Sequence, residues 1–257
     1  MTLGYDYGAT ADGPALVLLH SGVCDRRMWD PQWPDLVNSG YRVVRCDFRG
    51  FGETPLPDRR HNDAEDVLDL LDSLGIERAV LIASSYGGEV AVEIAARRPE
   101  RVAAIVLLCA GLPGHQPTDE LRAFGEREDE LIEAGDVDGA VELNVDTWLG
   151  PDTDEAAREA VRGMQRRAFD VQLAAPEGAG RNKVEVDLAA VKAPCLAVSG
   201  GRDLTDFRQI AARLPELFAD ARHLELPWAG HLPSLERPVE VTALLTGFLS
   251  ETVPAAG

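Results

Sequence analysis

Apolar residues in this chain come in short unbroken runs. The first is Ala15-Leu16-Val17-Leu18-Leu19-His20, and the pattern recurs at residues 43–46, 80–83, 103–109 and 195–198. A strand with one wet face alternates apolar and polar positions, so runs without a polar position suit strands covered on both sides, as in a parallel sheet. Tyr5 and Tyr7 mark a further short strand ahead of the Gly13-Pro14 turn. Between several runs the period changes to that of a helix. Residues 63–74 place Val67, Leu70, Leu71 and Leu74 on one face, residues 86–97 form a second helix stopped by Pro99, and residues 239–249 form the last. Strand alternating with helix predicts an α/β fold. The rhythm breaks over residues 113–183, which hold three helical segments near 119–134, 137–148 and 154–173 and no strand. The tail, residues 254–257, is expected to fray.

Length and charge narrow the field. A chain of 257 residues can bury one full α/β core, with room for an inserted cap. A formal net charge of −19 argues against nucleic acid and anionic membrane as partners, because the summed field repels polyanions; it favours neutral or cationic ligands. Residues 1–8 lack the basic and apolar regions of a signal peptide, and no run reaches membrane-spanning length, so a cytoplasmic protein is expected. Cys24, Cys46, Cys109 and Cys195 are scattered without metal-ligand or paired spacing, so neither a disulfide framework nor a zinc site is signalled. The last three lie in apolar runs and read as core.

The chemistry concentrates at residues 80–91, VLIASSYGGEVA: a buried strand, two serines, a turn and the start of a helix. A serine held in a strained strand-to-helix turn needs small residues two before and two after it. Ala83 and Gly87 flank Ser85 in this way, whereas Ile82 and Tyr86 flank Ser84 and are too bulky. The competing account makes Ser85 a plain helix cap; it leaves the small flanking residues without a purpose, and position 88 is Gly where a capping box has Glu or Gln.

The stretch resembles the nucleophile elbow of the α/β-hydrolase family, G-x-S-x-G, with Ala83 in place of the first glycine. That resemblance implies an α/β-hydrolase fold, a mainly parallel central sheet flanked by helices with an inserted helical cap: a core of residues 1–112 and 184–257, and a cap of 113–183. It implies a triad in the order nucleophile, acid, histidine. Asp203 follows the run at 195–198 and Gly200-Gly201; Asp206 is its near rival. His231 precedes Pro238 and the last helix; His223 is the alternative, fixed at the start of an apolar run. His20-Ser21-Gly22-Val23 is similar to the family's H-G-x-x segment, which assigns the oxyanion hole to the amides of Gly22 and Tyr86, with Val23 as fallback and His20 structural. Asp47-Phe48-Arg49-Gly50-Phe51-Gly52 is similar to the family's D-x-R-G-x-G turn, expected to brace loops near the site. Val23, Cys24 and Trp148 are the candidate substrate-lining residues, with core packing the competing role for Cys24 and Trp148.

The implied enzyme is a serine hydrolase cleaving a carboxylic ester or lactone of a small neutral molecule through an acyl-enzyme. The serine sets it apart from dehalogenases and epoxide hydrolases of this fold, which use aspartate there. Carbon-carbon hydrolases and perhydrolases share the triad, and a non-catalytic receptor that kept the pocket is the reading from a different class. No metal or organic cofactor is implied, the partner is a small-molecule substrate, and the oligomeric state is not legible.

Overall fold

The computed structural model describes residues 3–176 and 178–255; the last two residues of the expected frayed tail lie outside them. In chain order the elements are β1 (Tyr5–Gly8), β2 (Ala15–Leu19), α1 (Trp33–Asn38), β3 (Arg42–Cys46), β4 (Arg60–His61), α2 (Asp63–Ser73), β5 (Ala79–Ser84), α3 (Tyr86–Arg97) and β6 (Val102–Leu108). There follow α4 (Asp119–Glu133), α5 (Val137–Trp148), α6 (Glu155–Leu173), β7 (Gly180–Arg181), β8 (Cys195–Gly200), α7 (Thr205–Leu217), β9 (Ala221–Leu226), α8 (Pro233–Glu236) and α9 (Pro238–Thr252). Seven strands form one sheet in the order β1-β3-β2-β5-β6-β8-β9. Only β1, at one edge, runs antiparallel to its neighbour.

The unbroken apolar runs have the cause inferred for them. Side chains alternate across a strand, and here both faces are covered. Ala15, Val17 and Leu19 of β2 pack with α2 and α3 through Val67, Leu71, Ala91 and Ile94, while Leu16 and Leu18 pack on the other face with Leu36 of α1 and Leu245 and Leu249 of α9. Burying each such side chain contributes roughly 1.5–3 kcal/mol. The two edge strands, β1 and β9, are the exceptions, each with no fully buried position.

Three helices fill the segment between β6 and the residues leading to β8. Each begins with a side-chain cap readable in the sequence: Thr118 accepts from Leu121 N, Asp136 from Gly139 N and Asp154 from Ala157 N. The expectation of no strand between 113 and 183 needs correction, because β7 pairs in parallel with β4, His61 opposite Arg181. A two-residue strand carries no periodicity, which is why it left no trace in the pattern. α7 likewise escaped, its last turn holding Pro215, a residue that normally signals a helix end.

Register sets the site. Leu19, Ala83 and Leu107 are partners across β2, β5 and β6, so these strands end level, and the loops after them emerge at one edge with the turn after β8. In parallel sheets that carboxyl edge is where ligands bind. No helix among the described residues is long and apolar enough to cross a membrane.

Candidate active site

β5 runs into α3 through a single residue. Ser85 stands between them at φ 50°, ψ −116°, and its side chain makes no capping hydrogen bond. Its own backbone is held by three hydrogen bonds: Ser85 N to Leu108 O at 3.0 Å, Gly88 N to Ser85 O at 2.8 Å and Gly111 N to Ser85 O at 2.9 Å. Gly87 is forced by space, since a Cβ there would lie 2.6 Å from the Leu19 carbonyl oxygen and 2.7 Å from that of His20. Ala83 is fully buried in the β5 core, so the methyl in place of the family's glycine is accommodated by packing. Ser84 is buried, its hydroxyl without a hydrogen-bond partner.

The Ser85 hydroxyl lies 2.7 Å from His231 Nε2, and His231 Nδ1 lies 2.7 Å from Asp203 Oδ2. Both contacts are satisfied by one tautomer, with Nδ1–H donating to the carboxylate and Nε2 accepting from the hydroxyl. Asp203 Oδ1 accepts from Leu204 N at 2.7 Å. The imidazole is 2 % exposed, packed between the rings of Phe207 and Trp148 at centroid distances of 4.1 and 4.6 Å. The loop that carries it is pinned by Glu236, whose carboxylate accepts from Gly230 N at 2.9 Å and Leu232 N at 3.1 Å. Trp148 O accepts from His231 N at 2.9 Å. Burial pushes the Glu236 carboxyl above its ordinary range, against these hydrogen bonds.

The rival residues have other work. Asp206 is buried and accepts from Thr118 N at 2.8 Å and Thr118 Oγ1 at 2.5 Å, and pairs with His115 at 2.7 Å; it ties the entry of the helical segment to α7. His223 on β9 meets Ser199 Oγ at 2.8 Å.

Gly22 and Tyr86 sit side by side, a Cβ on Gly22 falling 3.5 Å from Tyr86 Cβ. Among the described residues neither amide donates in a turn, loop or cap hydrogen bond, so both remain available to an incoming oxygen. The Val23 amide faces Ser21 Oγ at 3.5 Å. His20 accepts from Phe48 N at 3.0 Å and donates to Ser21 O at 2.7 Å; burial lowers its pKa, so it stands as a neutral strut. Asp47 accepts from Arg26 N at 2.8 Å and Glu53 N at 3.0 Å, and Arg49 pairs with Asp66 at 2.6 Å. The turn is thus held from inside and, through Arg167 N–H to Gly52 O at 3.0 Å, from α6.

The candidate substrate-lining residues divide. Val23 is half-buried beside Gly22. Cys24 is corrected: it has no exposed surface and packs in the core with Met28 and Trp29. Its amide bonds back to Ser21 O at 3.1 Å, which turns the chain inward. Trp148 is buried against His231 and holds its own indole N–H on Asn144 at 2.9 Å. Three features had no visible sequence signal: the Glu236 clamp, the Asp206 tether and Cys109. Cys109 stands at φ 47° at the end of β6, and its Sγ lies within 4.8 Å of the Asp203 and His231 donor atoms. Asp203, which the pattern placed one turn past a strand end, and His231 were both legible.

The arrangement is a polarised hydroxyl beside two free amides, a geometry suited to attack on a carbonyl. Comparison with known proteins agrees with it. Residues 16–244 match the model of the alpha/beta hydrolase family. The chain is 26 % identical over 258 residues to 3-oxoadipate enol-lactonase 1 of Acinetobacter baylyi, covering 96 % of this chain and 93 % of that one. It is 28 % identical over 253 residues to carboxylesterase YbfK of Bacillus subtilis, covering 93 % and 81 %. A thermophilic esterase from Thermogutta terrifontis superposes with a TM-score of 0.82 at 25 % identity, covering 98 % and 94 %. With its fold, its elbow and a family match over most of its length, the chain belongs to the alpha/beta hydrolase family.

Proposed function

We propose that this chain is a serine hydrolase that cleaves a carboxylic ester or lactone of a small organic molecule. The observation that carries this reading is the 2.7 Å contact from the Ser85 hydroxyl to His231 Nε2 at a residue held at φ 50°. In the first half-reaction Ser85 Oγ bonds to the carbonyl carbon and its proton passes to His231 Nε2. The Asp203 carboxylate steadies the imidazolium, and the amides of Gly22 and Tyr86 donate to the oxyanion. His231 then gives its proton to the leaving oxygen as the ester C–O bond breaks. In the second half-reaction water attacks the acyl-enzyme, His231 takes its proton, and the carbon–Oγ bond breaks with return of that proton to Ser85. The helices α4 to α6 act as the cap over this site, and the names of the lactonase and esterase relatives support carbonyl substrates.

The test is a panel of chromogenic esters and lactones of varied acyl size, run on the wild-type protein and on Ser85→Ala. Turnover that falls by a factor on the order of 10⁴ or more in the variant supports the acyl-enzyme. Binding without turnover across the panel overturns it in favour of a receptor.

A further inference from the structure

We propose that Arg181 is a specificity residue that receives a carboxylate carried on the acyl part of the substrate. The proposal rests on the hydrolase reading of Ser85.

Arg181 is delivered to the site by the chain as it leaves the helical segment. Its backbone is fixed by the β4–β7 pairing, in register with His61, and Asn182 N donates to His61 O at 2.7 Å just beyond. Its guanidinium lies 3.9 Å from the ring centroid of Tyr86, the residue next to the nucleophile. That ring is itself a fixed platform. Its hydroxyl donates to the buried carboxylate of Asp63 and its edge packs on Phe48 at 5.3 Å.

Charge distinguishes Arg181 from most other arginines here. In a chain of net charge −19, residues such as Arg26, Arg45, Arg97 and Arg162 each hold two or more carboxylates. Among the described residues no carboxylate lies within ion-pair distance of Arg181 or of Lys183. Both line a cleft of about 320 Å³ with Tyr86, Glu89, Leu112 and His115. The other charges facing that cleft are accounted for: Glu93 is held by Arg97 at 2.6 Å and Asn62 at 2.8 Å, and His115 by Asp206. Beyond ion-pair distance, Asp63 and Glu89 also act on Arg181: Asp63 is held by the Tyr86 hydroxyl, and Glu89 is an exposed carboxyl lining the same cleft. Among the described residues, Arg181 and Lys183 thus reach that cleft as cations without an ion-paired carboxylate.

A guanidinium stacked on an aromatic face keeps its N–H edge for a carboxylate, which it can meet with two parallel hydrogen bonds. Tyr86 is the shared wall: it follows Ser85 directly and lines the cleft, so an acyl chain attacked at one end can present its far carboxylate to Arg181. The whole-molecule charge disfavours anions at long range, but contact recognition is decided by the groups within a few ångströms, which a Debye length of about 8 Å at physiological salt separates from the distant surface.

The experiment compares 4-nitrophenyl butyrate with the mono-4-nitrophenyl esters of succinate, glutarate and adipate, on the full-length wild-type protein, Arg181→Gln and Arg181→Lys. The readout is the ratio of kcat/KM for each half-ester to that for the neutral ester, which cancels any loss of folded enzyme. Arg181→Gln is expected to lower this ratio by about 10- to 100-fold, and Arg181→Lys to restore part of it. A ratio unchanged in Arg181→Gln overturns the proposal and leaves the hydrolase reading standing. Should no ester be turned over at all, the hydrolase reading fails on its own; glutarate binding by calorimetry, present in the wild type and lost in Arg181→Gln, would still support the carboxylate site, and its absence would refute it.

Discussion

Ser85 stands in a backbone region that side chains avoid, at a cost of order 1–3 kcal/mol. The cost is met locally by its three backbone hydrogen bonds and by Gly87, where a methyl would strike two carbonyl oxygens. Gly87→Ala is therefore expected to lower both Tm and kcat, since the elbow can relieve the clash only by moving away from β2; a thermal melt and a steady-state assay check it together. Asp203→Asn tests the other end of the hydrogen-bonded chain. An amide can satisfy the imidazole only in the wrong tautomer, so kcat should fall by a factor on the order of 10⁴ with the fold intact by circular dichroism. Ser85 and Gly87 were legible because the turn itself demands small neighbours, a local signature that a sequence displays; Asp203 was legible through its place after a strand end in the family's order. For Cys24 the packing role, one of its two readings, is the one the structure supports, and proximity to the His20–Val23 motif said nothing of the hydrogen bond to Ser21 O that buries it.

At the scale of elements, what the pattern did not show is which element fastens which. Trp148 and His231, Thr118 and Asp206, and Tyr86 and Arg181 are pairs separated by tens of residues, and neither period nor spacing encodes a partner at that distance. The strands with unbroken apolar runs and the helices α2 to α6 were readable to within a residue or two, α7 was hidden by Pro215, and β4 and β7 were too short to carry a period. The Asp206 tether makes a checkable case. Burial alone would raise its carboxyl, but the hydrogen bonds from Thr118 and His115 outweigh burial and hold it below the ordinary carboxylate value. A depressed folded-state pKa contributes stability that is present above the unfolded value, about 3.9 for Asp, and is lost as pH falls through the folded one. Asp206→Asn should thus melt several degrees below wild type at pH 7, and the gap should close as pH is lowered from 5 toward 3. A gap independent of pH would show that the tether is not carried by the ionised carboxylate.

At the scale of the whole molecule, a two-sided parallel sheet sets the core while the surface carries the charge. Net charge of −19 repels itself in the compact state, and screening shortens the reach of that repulsion from about 30 Å at 0.01 M salt to about 8 Å at 0.15 M. Tm should therefore rise when sodium chloride is raised over that interval at pH 7. A Tm that fell instead would mean that the surface ion pairs of the arginines outweigh the repulsion.

The helical segment is fastened at its two ends, Thr118 on Asp206 and β7 on β4, and touches the body between them through Arg167 on Gly52 and Trp148 on His231. Everything between those anchors, α4 to α6, is bounded by attachments that belong to the framework. Exchange of that stretch for the equivalent one of a relative, with both anchors retained, is thus a natural unit of grafting, and splices made outside either end would discard the fastenings along with the cargo.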